Sequence, residues 1–142
     1  KTQRFRKGTK RFERNYYFEF LASLRLKNIN DMDLIKNIKP KDLAPGITGH
    51  YAHGDKATFG YIELKKGSIV PLHHHMNEQI TYILEGQLDM VIGGVDCSMT
   101  PGMYHVIPSN VPHSAVAVTD CKVIDVFGPV REDYKTTTPV WE

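Results

Sequence analysis

The chain has 142 residues, of which 41% are hydrophobic and 24% charged, the proportions of a soluble globular domain with a core of its own. Two cysteines are too few for a disulfide framework, and no apolar run is long enough to cross a bilayer. The net charge of +2 divides unevenly: residues 1–14 carry seven basic side chains against Glu13 alone, a net of +6, leaving −4 for the remainder, which is not the pattern of a dedicated nucleic-acid binder.

Residues 1–30 read as a basic, aromatic leader, either disordered or swapped onto a neighbouring copy. Phe12, Tyr16, Tyr17, Phe18 and Phe20 either add a strand or short helix that packs on a partner subunit, or stand upstream of the fold with no part in it. Tyr16–Leu24 follows basic residues as the core of a signal peptide would. Glu19 interrupts its apolar part and Arg25 follows at once, so a non-secreted, cytoplasmic protein is expected. Residues 31–142 are expected to form one domain with its core in 46–129.

From Asn30 to Leu43 a capped helical turn is predicted at Asp31–Ile35, stopped by Pro40 and Pro45. A β-rich body follows. Strands are predicted at 46–53, 57–64 and 68–72, then at 80–84, 87–92, 95–99, 103–107, 113–118 and 122–127. Gly54-Asp55, Lys65-Lys66-Gly67, Glu85-Gly86, Gly93-Gly94 and Thr100-Pro101-Gly102 supply turns between them. Gly93-Gly94 is the strongest hairpin signal. About nine short strands with regular turns and no alternating helices argue for an all-β sandwich or barrel. The tail from Gly128 is expected to be irregular. Cys97 and Cys121 fall in strand-like runs and read as free thiols of a reducing compartment, with a bridge between adjacent strands as the alternative.

The segment Pro71-Leu72-His73-His74-His75-Met76-Asn77-Glu78-Gln79 carries the chemistry. On a strand, residues i and i+2 share a face, so His73 and His75 can aim at one point while His74 faces away. Gln79 follows after a short bend, and His113 lies far downstream in Pro108–His113. Three imidazoles and an amide oxygen make a site suited to a divalent transition metal. A solvated strand end is the plain alternative from spacing alone.

Two motifs in the right order make a resemblance specific. Gly67, five residues, His73, one residue, His75, three residues, Gln79, six residues and Gly86 resemble the first motif of the cupin superfamily. Pro101-Gly102, Pro108 and His113 resemble the second. The resemblance implies a cupin jelly-roll β-barrel with one divalent transition metal (Zn, Ni, Mn or Fe) per chain, held by His73, His75, Gln79 and His113. Cupins usually have Glu where this chain has Gln79. A neutral amide leaves the full metal charge uncancelled, which favours an anionic substrate and stronger polarisation of bound oxygens. It also removes a carboxylate from the site, so proton transfer needs a group elsewhere in the cavity.

Val123-Ile124-Asp125-Val126-Phe127, continuing to Arg131-Glu132-Asp133-Tyr134, offers one. Asp125 shares a strand face with Phe127, and a carboxylate in an apolar strand is costly unless paired or working. Either it is salt-bridged to Arg131 at a strand edge, or it is catalytic. Together with His73–Gly86, this segment is similar to the pectin-degradation cupins, which linearise 4,5-unsaturated monouronates. That resemblance implies metal binding by three His and one Gln, with Asp125, Phe127 and Arg131 catalytic. Asp125 would move protons, Arg131 would clamp the substrate carboxylate in a fork and Phe127 would wall the ring. The alternatives are a metal-dependent cupin dioxygenase and a non-catalytic cupin that binds a small molecule. His50, His53 and His105 are expected to line the barrel or its surface, His105 with a possible substrate contact, and Trp141 to dock on a partner. A homodimer acting on a small anionic sugar, with no nucleic-acid or membrane partner, completes the expectation.

Overall fold

The computed structural model describes residues 32–135. The chain divides into two units, Lys1–Asp33 and Leu34–Glu142, and the account below is of the second. The leader over 1–30 and Trp141 lie outside the described residues. A 3₁₀ turn at Ile35–Asn37 leads into ten strands: β1 (Lys41–Ala44), β2 (Ile47–His53), β3 (Thr58–Leu64), β4 (Ile69–His73) and β5 (Glu78–Glu85), then β6 (Leu88–Ile92), β7 (Val95–Met99), β8 (Tyr104–Ile107), β9 (His113–Ala117) and β10 (Cys121–Gly128). A second 3₁₀ turn, Glu132–Lys135, follows β10.

The strands form two antiparallel sheets, β1-β2-β3-β10-β5-β8 and β4-β9-β6-β7. From β3 to β6, and again from β7 to β10, each successive strand lies in the other sheet. This is a jelly-roll sandwich. The period-two pattern places its core. Along β5, Gln79, Thr81 and Ile83 are buried, while Ile80, Tyr82 and Leu84 are exposed. Ile47, Ile62, Leu64, Ile83, Leu88, Met90, Ile107 and Val123 fill the space between the sheets, each buried aliphatic contributing about 1.5–3 kcal/mol. Gly93 and Gly94 take φ of +58° and +83° in the β6–β7 turn, the left-handed pair that a tight two-residue hairpin needs.

Three local expectations change. The helical turn predicted at Asp31–Ile35 is instead the 3₁₀ turn Ile35–Asn37, with no side-chain cap on its first residue. Lys41–Ala44, where no strand was expected, is a strand paired with β2. Pro40 and Pro45 flank four residues, too few for a helix, and proline biases the residue before it toward extended backbone. The tail after Gly128 is not wholly irregular, since Glu132–Lys135 makes a turn whose Tyr134 is buried in the core.

Two rows of the six-stranded sheet bear on function. On the inner face Tyr51, Gly60, Asp125, Thr81 and His105 are successive cross-strand partners. A Cβ on Gly60 would lie 2.7 Å from the Tyr51 ring, and one on Gly49 would lie 2.4 Å from its hydroxyl. The absent side chains leave room for that ring to lie beside Asp125. On the outer face Phe59, Val126, Ile80 and Val106 form one row, and Tyr61, Ile124, Tyr82 and Tyr104 the next. The outer rows hold no charged residue. Among the described residues no helix is long and apolar enough to cross a membrane.

Candidate metal centre

His73 is the last residue of β4, and His75 sits just beyond the strand in the bend before β5. The strict strand rule therefore covers only His73, but the alternation persists: His73 and His75 are half-buried and His74 is exposed. His113 opens β9 and is the direct cross-strand partner of His73. Sheet pairing thus joins residues forty positions apart in sequence. The ring centroids of His73 and His113 are 4.2 Å apart, and those of His75 and His113 5.1 Å. One ligand atom from each histidine falls within 4.8 Å of the others. Gln79 reaches the same point from β5, in the opposite sheet.

Each imidazole is aimed by the backbone. Nδ1 of His73 donates to the Pro71 carbonyl at 2.8 Å, His75 to Asn77 at 2.9 Å and His113 to Val111 at 2.8 Å. A carbonyl only accepts, so Nδ1 carries the proton and Nε2 keeps its lone pair. Such outer partners orient metal-ligating histidines. Nε2 of His113 is buried with no hydrogen-bond partner among the described residues. Burial, above all, lowers all three pKa values, those of His73 and His75 to about 4. The imidazoles are neutral at physiological pH, the state that ligation requires.

Gln79 makes the case for a cation sharper. Its Nε2 donates to Thr81 Oγ1 at 2.8 Å, and Thr81 Oγ1 donates to Asp125 Oδ1 at 2.7 Å. The amide oxygen is thereby turned to His75 Nε2, at 3.1 Å. Both atoms are acceptors. Two lone pairs facing each other repel unless a positive charge lies near both. With His75 neutral, a metal ion is the group that this donor set fits.

Asp125 lines the cavity between the sheets with Tyr51, His73, Gln79, Thr81, His113, Phe127 and Tyr134, above an aliphatic floor that includes Ile62, Leu88 and Val123. Desolvation pushes its carboxyl up to about 6, partly opposed by hydrogen bonds from Thr81 and Gln79 and by the Arg131 charge. The cavity's free volume is about 60 Å³, room for a few waters but not for a sugar ring.

Phe127 is buried, its ring edge-on to His75 at 5.6 Å. Arg131 does not pair with Asp125. Its Nε and Nη2 grip Asp133 at 2.9 and 2.6 Å, and its guanidinium stacks on Tyr134 at 4.0 Å and Phe127 at 5.0 Å. Burial works against its charge, but Asp133 together with Tyr134 and Tyr51 outweighs that and raises its pKa. Arg131 is not among the lining residues, and its Nη1 is buried and unpartnered among the described residues. The edge strand salt bridge proposed for Asp125 is therefore absent, and the fork expected for a substrate is engaged by Asp133.

His50 bonds the Ile38 carbonyl at 2.8 Å and His53 bonds Thr58 Oγ1 at 2.9 Å, so both are structural. His105 is exposed on β8, opposite Thr81. Cys97 and Cys121 are both free thiols. Sequence reasoning passed over Thr81, Tyr51, Tyr134 and Asn77. For Thr81 the signal was available: it follows Gln79 by two on a strand whose other inward residue is apolar. Asn77 donates to the Pro129 carbonyl while its own carbonyl receives His75, tying the bend to the chain after β10. Nothing local marks that contact.

Comparison with known proteins agrees with the fold. Residues 60–127 match the cupin domain family Cupin_2. The chain is 31% identical over 103 residues to the H2HPP isomerase of Bacillus subtilis, covering 70% of this chain but 44% of that protein. It is also 31% identical over 75 residues to the pectin degradation protein KdgF of Dickeya dadantii (strain 3937), 51% of this chain and 68% of that protein. Among solved structures, KdgF from Halomonas sp. superposes with a TM-score of 0.68 at 28% identity, covering 74% of this chain and 98% of that one. An RmlC-like cupin from Shewanella frigidimarina NCIMB 400 gives 0.69 at 26% identity, covering 74% and 96%.

Proposed function

This chain belongs to the cupin family, and we propose that it is a metal-dependent enzyme that opens and tautomerises a small anionic sugar of the 4,5-unsaturated monouronate class. The observation that carries the metal is the pair of acceptors, His75 Nε2 and Gln79 Oε1, turned on each other at 3.1 Å. In this reading His73, His75, Gln79 and His113 hold one divalent transition metal. A bound ion of this kind supplies a Lewis acid for the sugar's oxygens.

The chain's own residues do the rest. Asp125, ionised above about pH 6, takes the proton of the anomeric hydroxyl. The bond from the anomeric carbon to the ring oxygen breaks, giving an aldehyde and an enol. The enol becomes a ketone when a proton returns to the neighbouring carbon, so the net change is an isomerisation with no oxidant or reductant. Thr81 donates to Oδ1 of Asp125, which leaves Oδ2 to carry the proton. Phe127, edge-on to His75, walls the sugar ring. Arg131 supplies positive charge and its unpartnered Nη1 amino group toward the substrate carboxylate. The likeness to the two KdgF proteins supports the substrate class. A relative named as an isomerase supports proton transfer over oxygen chemistry.

Elemental analysis of purified protein, followed by NMR of a 4,5-unsaturated galacturonate monomer, tests the proposal. One metal equivalent and loss of the vinylic proton signal are expected. A metal-loaded protein that leaves that signal unchanged would remove the substrate assignment.

The same reading includes a homodimer. It is supported by the uncharged outer rows of the six-stranded sheet, where Tyr104 keeps 68% of its surface and Phe59, Ile80 and Tyr82 about two-fifths. Apolar sheet faces of this kind mark association surfaces.

A further inference from the structure

We infer that Thr81 is a positioning residue that decides which end of the Gln79 amide faces the three histidines. This rests on the metal-site reading above and adds to it a residue that touches neither metal nor substrate. Thr81 is 1% exposed, on the inner face of β5 between Gln79 and Asp125. Its hydroxyl has one hydrogen to give. The neighbouring Asp125 carboxylate takes it, at 2.7 Å. Thr81 can then only accept from Gln79, at 2.8 Å, and only the NH₂ end of the amide can donate. The oxygen is left pointing at the site.

The opposite amide orientation is the one a metal-free site would otherwise prefer. It would place N–H against the lone pair of His75 Nε2, replacing a repulsive pair of acceptors by a hydrogen bond. It would also aim donor hydrogens at any cation. Thr81 therefore stores the ligand in its binding orientation, and the direction of the relay is set by the carboxylate at its far end. Without that hydroxyl, part of the population must turn its amide before binding, and apparent affinity falls by the fraction that is competent.

The test titrates the metal-stripped full chain with Zn²⁺ alone by calorimetry. Thr81→Val is nearly isosteric and should bind Zn²⁺ about 10–100-fold more weakly than the wild type, the usual effect of losing an outer-shell partner. Thr81→Ser keeps the hydroxyl and should restore the affinity. A second variant reads the relay without touching Thr81: Asp125→Ala removes the acceptor of the Thr81 hydrogen and should lower Zn²⁺ affinity. Wild-type affinity in Thr81→Val overturns the inference while leaving the metal site standing. So does equal weakening in Thr81→Val and Thr81→Ser, or wild-type affinity in Asp125→Ala. A wild-type chain that takes up no Zn²⁺ or other divalent metal removes the metal site, and the inference with it.

Discussion

Arg131 is bound to Asp133, not to Asp125: Nε and Nη2 meet the Asp133 carboxylate at 2.9 and 2.6 Å, while Asp125 is held by Thr81. Asp125 in β10 and Asp133 in the turn after it thus have separate duties. Asp133 neutralises a buried guanidinium, and Asp125 is left as a carboxyl in the cavity. Asp133→Asn should cost about 1–3 kcal/mol in denaturant melts, toward the low end because the acid side chain is half exposed. Under the proposed function its KM should rise more than kcat falls, because the Arg131 fork loses its anchor. An unchanged KM would show that Arg131 has no part in substrate binding.

Asp125→Asn keeps the shape and the contact with Thr81 but cannot take a proton. Turnover should fall about 10²–10⁴-fold, with metal content unaltered. Rates from NMR and metal by elemental analysis check the two halves separately. An undiminished rate would remove Asp125 as the base.

The metal-free chain should gain stability as pH rises from about 4 to 6.5. Burial holds His73 and His75 at about 4, against an ordinary value of 6.5, and His113 is lowered too. Within that window the unfolded chain binds more protons than the folded one, so stability increases with pH. Asp125 works in the opposite sense, because its folded value of about 6 lies above 3.8 and the folded chain binds its proton there. Three histidines outweigh one aspartate. Thermal melts of metal-stripped protein across this range provide the check, and a Tm that falls with rising pH would contradict the assignment of neutral imidazoles.

A charge placed in the outer rows should separate the proposed dimer. Tyr82 lies centrally there, between Ile124 and Tyr104. A stable interface needs about 800 Å² from each partner, and the proposed one covers both rows. Tyr82→Glu should shift the mass measured by light scattering from two chains to one without lowering metal content. A wild-type chain that is monomeric at micromolar concentration would dispose of the dimer.

Much of the fold was legible before any coordinates. The strand-like runs at 57–64 and 80–84, the alternation along 87–92 and the glycine pair at 93–94 are local signals, and each appears as a strand or hairpin at nearly its expected place. The exceptions have local causes too: Pro40 and Pro45 divert a short segment into β1. His73, His75, Gln79 and His113 could be named as candidates from spacing and family likeness, because a ligand set must present particular side chains at particular intervals.

What only the tertiary structure decided is how those side chains are joined. The partner of Arg131, the orientation of the Gln79 amide and the relay through Thr81 depend on distances between strands that lie far apart in the chain. Hydrogen bonds act over about 3 Å and require alignment, and that information exists only once β5 and β10 are side by side. Composition and periodicity record which face a residue takes. They carry no record of which neighbour it meets there, and in this protein that neighbour sets the polarity of the site.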